Sequence, residues 1–122
     1  METNDATASS AGAPLAPEMQ RCIDTCHECE RICLHMATGH CLSLGGRHAL
    51  PEHLSTMLVC ARMCGTAADV MAMNSTLHRQ VCAVCADLCD ACITRCRDLD
   101  DMDACIEVCE RCKTECEAMV DA

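Results

Sequence analysis

From residue 17 onward, polar and apolar residues trade places every three or four positions, the period of helices lying on a core, and the residue that returns to the apolar side is most often cysteine. The returns run Cys22, Cys26, Cys29, Cys33, then Cys60 and Cys64, then Cys82, Cys85, Cys89, Cys92, Cys96, then Cys105, Cys109, Cys112, Cys116. At about 100° per residue, the four thiols of the first run fall within a wedge of ~60°, and the last run repeats that wedge. Cys41 alone falls in a predicted loop. The pattern predicts four amphipathic helices, each with a stripe of sulfur where leucine would ordinarily sit.

Start and stop signals bound these helices. Pro17, favoured at the first helical position, and Glu18 beside the positive end of the helix dipole open the first, which is expected to run to about residue 38 or 41 with Gly39 at its fraying end. Gly45 and Gly46 make a loop, and Pro51 with Glu52 repeats the start signal for a second helix to about residue 73. Asn74 or Ser75 is expected to cap the third, which ends on Arg95 and Arg97. Asp98, Asp100, Asp101 and Asp103 mark a tight connection whose last members are expected to cap a fourth helix, about 101–120. Helices of ~20 residues joined by short links pack antiparallel. The expected fold is all-α, an antiparallel up-down-up-down four-helix bundle with a Cys-lined core, forming one domain over 17–122 behind a disordered tail, 1–16, too small and polar to bury a core.

Composition sharpens this picture. Phe, Tyr and Trp are absent among 122 residues, so cysteine must supply much of the buried volume, which a free thiol can do as a small hydrophobe. The net charge is −10, with nine Lys and Arg scattered among acids, which argues against nucleic acid as a partner. The first residues have no basic start and no apolar run, and no stretch is long enough to span a membrane, so the chain is expected to be cytoplasmic. In that reducing compartment a cysteine-rich chain binds metal more often than it forms disulfides, and cysteines one turn apart on a helix cannot readily bridge.

Thiolate and thioether are soft ligands suited to Cu(I), zinc or iron-sulfur clusters. A closed four-thiolate zinc site keeps a charge of −2, costly when several are stacked in a dry interior. Each Cu(I) that replaces one thiol proton leaves the interior charge unchanged, and cysteines at i and i+4, ~6 Å apart at Cβ, can share one ion of low coordination number. Iron-sulfur ligation lacks its usual loop motif, and no Glu-x-x-His pair supports a di-iron carboxylate enzyme. No nucleophile with a general base and no phosphate loop suggests catalysis. Two alternatives to Cu(I) binding stay open, a thiol-rich buffer for zinc or cadmium and a thiol redox protein, although the latter lacks a Cys-x-x-Cys pair at a helix start. On the helical wheel Met36, His40, His53, Met57 and Met102 project toward the core at the end shared by the first and third connections, where Cys41 also lies. Met19, Met71, His78 and Met119 lie at the other end, while His27, His35 and His48 are expected to be solvated.

The helical Cys-x-x-x-Cys pairs, the His40-Cys41 dipeptide and the ladder from Cys82 to Cys116 resemble the bacterial copper storage proteins over roughly residues 17–120. The resemblance implies non-catalytic storage of many Cu(I) ions per chain on the core cysteines, in a bundle folded before metal arrives. It also implies an entrance lined by His and Met with Cys41 and His40, and assembly into homotetramers through outer helix faces. The absent export signal resembles the cytosolic branch of that family.

Overall fold

In the computed structural model, which describes residues 14–121, four long helices form a ring around one sulfur-filled core. Helix α1 spans Pro17–His35, passes without a break through a π-helical turn at Met36–Cys41, and ends with one further turn, Leu42–Leu44. Helices α2 (Pro51–Ala72), α3 (His78–Arg97) and α4 (Asp103–Val120) follow. Each packs on two neighbours, α1 on α2 and α4, α3 on α2 and α4, the square arrangement of an up-down-up-down bundle. The expected tail, 1–16, falls almost wholly outside the described residues.

The Pro-Glu signals stand where expected, with Pro17 and Pro51 in the first turn and Glu18 and Glu52 behind them. Between these helices the chain turns at Gly45 and Gly46, whose φ of 69° and 55° lie in the left-handed region that a Cβ disfavours. A short 3-10 turn, Gly46–Ala49, then leads into α2. Arg47 donates to the Asp98 carbonyl at 3.0 Å and His48 Nε2 to that of Asp100 at 2.7 Å, tying the first connection to the third. His48 is therefore half-buried and engaged rather than solvated.

Three local expectations are corrected. The first helix does not fray at Gly39 but continues to Leu44, and Cys41 lies inside a helical turn rather than a loop. The caps also differ. Asp101 takes a left-handed φ of 60° instead of capping, α4 starts at Asp103, and the N-cap position belongs to Met102, whose side chain is buried. Before α3, Ser75 Oγ accepts from the N–H of Leu77, itself the N-cap residue, at 3.1 Å, so it closes the turn and not the first helical turn proper.

Sulfur dominates the core, and α2, with two thiols on its buried face, completes it with Ala61, Ala67, Ala68, Met57 and Met71, all fully buried. Small residues on α2 let its backbone approach α1 and α3 where the other helices present thiols. Ion pairs between exposed side chains bridge neighbouring helices, Arg95 to Glu52, Arg97 to Glu110, Arg111 to Glu28 and Lys113 to Asp90, and fix their relative register more than they stabilise them. None of the described helices is long and apolar enough to cross a membrane.

Close packing around α2 gives a direct test. Ala67→Leu is expected to destabilise the metal-free bundle by about 1–3 kcal/mol, because a fully buried alanine has no room for three more carbons. Ala91→Leu, at an exposed position, is expected to stay within about 0.5 kcal/mol of the parent. Urea unfolding followed by circular dichroism separates the two.

Candidate metal centre

All sixteen cysteines are free and fully buried, so the stripes predicted on separate helices meet in one interior seam. Along the α1–α4 side the sulfurs interleave like a zip. Cys22 lies 3.8 Å from Cys116, Cys26 lies 3.7 Å from Cys116 and 3.6 Å from Cys112, and Cys29 lies 3.7 Å from Cys109. Cys33 continues the row, 3.8 Å from Cys109 and 3.6 Å from Cys105. From α2, Cys64 reaches Cys85 at 3.7 Å, Cys112 at 3.8 Å and Cys89 at 3.9 Å, while Cys60 reaches Cys89 at 3.9 Å. Cys92 and Cys96 meet Cys105 at 3.9 and 3.8 Å.

These contacts correct the emphasis on pairs within one helix. Cys29 with Cys33, Cys92 with Cys96 and Cys112 with Cys116 do approach, but at 4.0 Å, whereas the closer contacts all cross between helices. Four thiol quartets converge within 4.8 Å: Cys26, Cys85, Cys112, Cys116; Cys29, Cys64, Cys89, Cys112; Cys29, Cys33, Cys60, Cys109; and Cys33, Cys92, Cys105, Cys109. Successive quartets share members. Cys112 and Cys29 belong to two each, as do Cys33 and Cys109, so the seam is a chain of fused sites.

Beyond the last rung, at the end shared by the first and third connections, Cys41 Sγ lies 3.5 Å from His53 Nε2, 3.8 Å from Met57 Sδ and 3.7 Å from Met102 Sδ. The π turn puts it there. Eight residues separate Cys33 from Cys41, and at about 100° each they would leave Cys41 about 80° off the seam; the wider i→i+5 turn takes up that excess. Thr38 and Ser43 bond back to the carbonyls of Leu34 and Gly39, and such side-chain competition loosens the helical ladder locally. The same turn moves Met36 and His40 outward, so both are half-buried at the rim while Ala37 and Cys41 face the core. His40 stands edge-on to His48 at 5.9 Å, with its Nε2 buried and unpartnered. A small cavity of about 90 Å³ lined by Arg47, Leu50, His53, Arg95, Asp98 and Leu99 opens beside His53.

The family model described as "Copper storage protein" matches residues 16–121. An uncharacterized cysteine-rich protein, YhjQ of Bacillus subtilis (strain 168), is 35% identical over 88 residues, 70% of this chain and 81% of the relative. Among solved structures, the Nmul_A1745 protein from Nitrosospira multiformis superposes with a TM-score of 0.83 at 42% identity, over 85% of this chain and 95% of that one. The Cu(I)-bound copper storage protein BsCsp3 superposes with a TM-score of 0.77 at 32% identity, over 84% and 98%.

The electrostatics of the seam follow from burial. Burial pushes the Cys41 thiol above its ordinary 9.0 and holds the His53 imidazole below its ordinary 6.5, so the two meet as neutral groups near pH 7. Within the ladder each thiolate would draw on thiol donors from neighbouring helices, but every further ionisation places another charge in the same dry interior. For an acid raised on folding, stability is present below the unfolded pKa and lost as pH rises toward the folded one; for a base lowered on folding, it is present above the unfolded pKa and lost as pH falls. The metal-free bundle is therefore expected to keep the contributions of both groups between about pH 6.5 and 9, losing that of His53 as pH falls below this range and that of Cys41 as pH rises above it. Anaerobic thermal melts across pH 5–10 measure both edges, and His53→Ala is expected to flatten the acidic one.

Proposed function

The chain belongs to the copper storage protein family, and from that premise we propose that it stores many Cu(I) ions on the sulfur seam inside its bundle. The single observation that carries this reading is the sharing of thiols between quartets. Zinc prefers separate, closed tetrahedral sites, and each four-thiolate site would keep two negative charges in an interior with no cation to balance them. Cu(I), soft and content with few ligands, can sit between thiolates that each serve two ions, and every ion that enters expels one proton. The buried charge then stays at zero however far the seam fills.

The proposed storage ligands are the fifteen cysteines of the ladder, from Cys22 to Cys116. Cys41, His53 and Met57, with Met102, form the inner entrance, and His40 and Met36 stand at its rim. Neutral imidazole and thioether hold Cu(I) less firmly than thiolate does, so an ion captured there passes inward to a stronger ligand at each step. Protons released from the seam leave by the same end, where the cavity beside His53 meets solvent. The protein acts by holding metal rather than by catalysis. Free thiols in this number suit the cytoplasm, whose glutathione and thioredoxin keep them reduced. Assembly as a homotetramer is what the family resemblance implies, and exposed Leu58 and Val59 on α2 and Val84 on α3 are apolar side chains that such an interface would cover.

Anaerobic titration of the reduced chain decides between metals. Cu(I) is expected to bind to about one ion per thiol, outcompeting zinc, and uptake is expected to strengthen with pH because each ion displaces a proton. About four zinc ions held as tightly would establish a general thiol buffer instead. Within the seam, Cys112→Ser is expected to lose more than one ion and Cys96→Ser about one, because Cys112 serves two quartets and Cys96 none. Native mass spectrometry of the loaded variants reads both.

A further inference from the structure

The seam has a second end, and it too is closed by a buried histidine among thioethers. His78, in the first turn of α3, is 8% exposed. Its Nδ1 lies 2.9 Å from the carbonyl oxygen of Ser75, which also accepts the His78 backbone N–H at 3.1 Å. A carbonyl can only accept, so Nδ1 carries the hydrogen. In the neutral ring Nε2 then presents a lone pair, and that nitrogen is buried with no hydrogen-bond partner. Burying an imidazole nitrogen unpaired is costly, whereas a histidine locked through one nitrogen onto a backbone carbonyl is the usual state of a metal ligand.

The neighbours supply a second donor. Cys82 follows His78 by one helical turn, so both side chains leave α3 on the same face, and Cys82 lies against Cys22 and Cys116, the last rung of the ladder at this end. Antiparallel order brings Met19 of α1, Met71 of α2 and Met119 of α4 to the same level, and all three are buried. A cavity of about 290 Å³ lined by Ala16, Glu18, Met19, Ala118 and Met119 lies at this end of the bundle.

We propose that His78 Nε2 and Cys82 Sγ form a terminal Cu(I) site at the end of the bundle remote from Cys41 and His53. This rests on the storage reading and gives the ion that displaces the Cys82 proton a nitrogen ligand that the thiol ladder alone does not supply. Binding there is balanced. The ion takes the imidazole lone pair and the sulfur of Cys82, whose proton leaves to solvent, and the interior gains no net charge.

The test is nitrogen-15 NMR of the histidine-labelled full chain, reduced and then loaded with Cu(I) under anaerobic conditions, with exposed His35 as the internal reference. At saturation the His78 Nε2 resonance is expected to move from a lone-pair to a metal-bound position while Nδ1 keeps its hydrogen. His78→Ala, checked for folding by circular dichroism, is expected to saturate with one ion fewer by native mass spectrometry. An unchanged Nε2 resonance in a chain that has filled to about one ion per thiol would overturn this site and leave storage intact. A chain that takes up no Cu(I) overturns both. Should the alanine variant fail to fold, the wild-type resonance decides alone.

Discussion

A buried thiol must be neutral when it is alone and can be anionic only when a cation sits against it; the rest of this structure follows from that. Sixteen thiols can share one interior because each is a small hydrophobe until it loses its proton. They can be discharged one at a time only if every departing proton is replaced by exactly one positive charge, which selects a monovalent soft metal over a divalent one. The helical scaffold serves this constraint. Backbone polar groups are satisfied within each helix, so the backbone of the long helices does not compete with sulfur for a proton or a metal.

Stability and capacity therefore draw on the same atoms. A leucine core would bury more apolar surface, and the seam accepts less, offset by alanines on α2 that bring the backbones close and by ion pairs that hold helices in register on the outside. The interleaved sulfurs alone do not single out one register: thiol contacts of 3.6–4.0 Å are short-ranged and nearly interchangeable, so a slide of one helix along another would exchange one set of neighbours for a similar one. Arg111 with Glu28 and Arg97 with Glu110 break that degeneracy.

The number of helices, their order and the stripe were legible because a period of 3.6 with a single recurring residue type has no competing explanation. What the periodicity could not carry was any feature that depends on two helices at once. The i, i+4 pairs were visible in the sequence, yet the closest thiols come from different helices, since their separation is set by interhelical register. Cys41 was assigned to a loop because Gly39 reads as a terminator; the π turn that keeps the helix going has no composition signature beyond Thr38 and Gly39. At the start of α4 the aspartates read as caps, but Met102 holds that position with its thioether 3.7 Å from Cys41 Sγ, and the aspartate before it takes the left-handed turn. Tertiary contact overrode local preference at both places, and both lie at the entrance.

The two ends of the seam differ in how their histidines are held, and the difference bears on direction. His53 presents Nε2 to a thiol at 3.5 Å and leaves Nδ1 unpartnered, so its ring is oriented by soft contacts alone and can reorient as an ion passes. His78 is anchored through Nδ1 to a backbone carbonyl, so its free nitrogen is fixed in place. A loosely held ligand favours exchange and a rigidly held one favours retention, because reorganisation on binding is what a preformed ligand avoids. Copper entering past Cys41 would therefore travel down a row of nearly equivalent thiolates, and the anchored imidazole proposed as a ligand beside Cys82 would close that row at its far end.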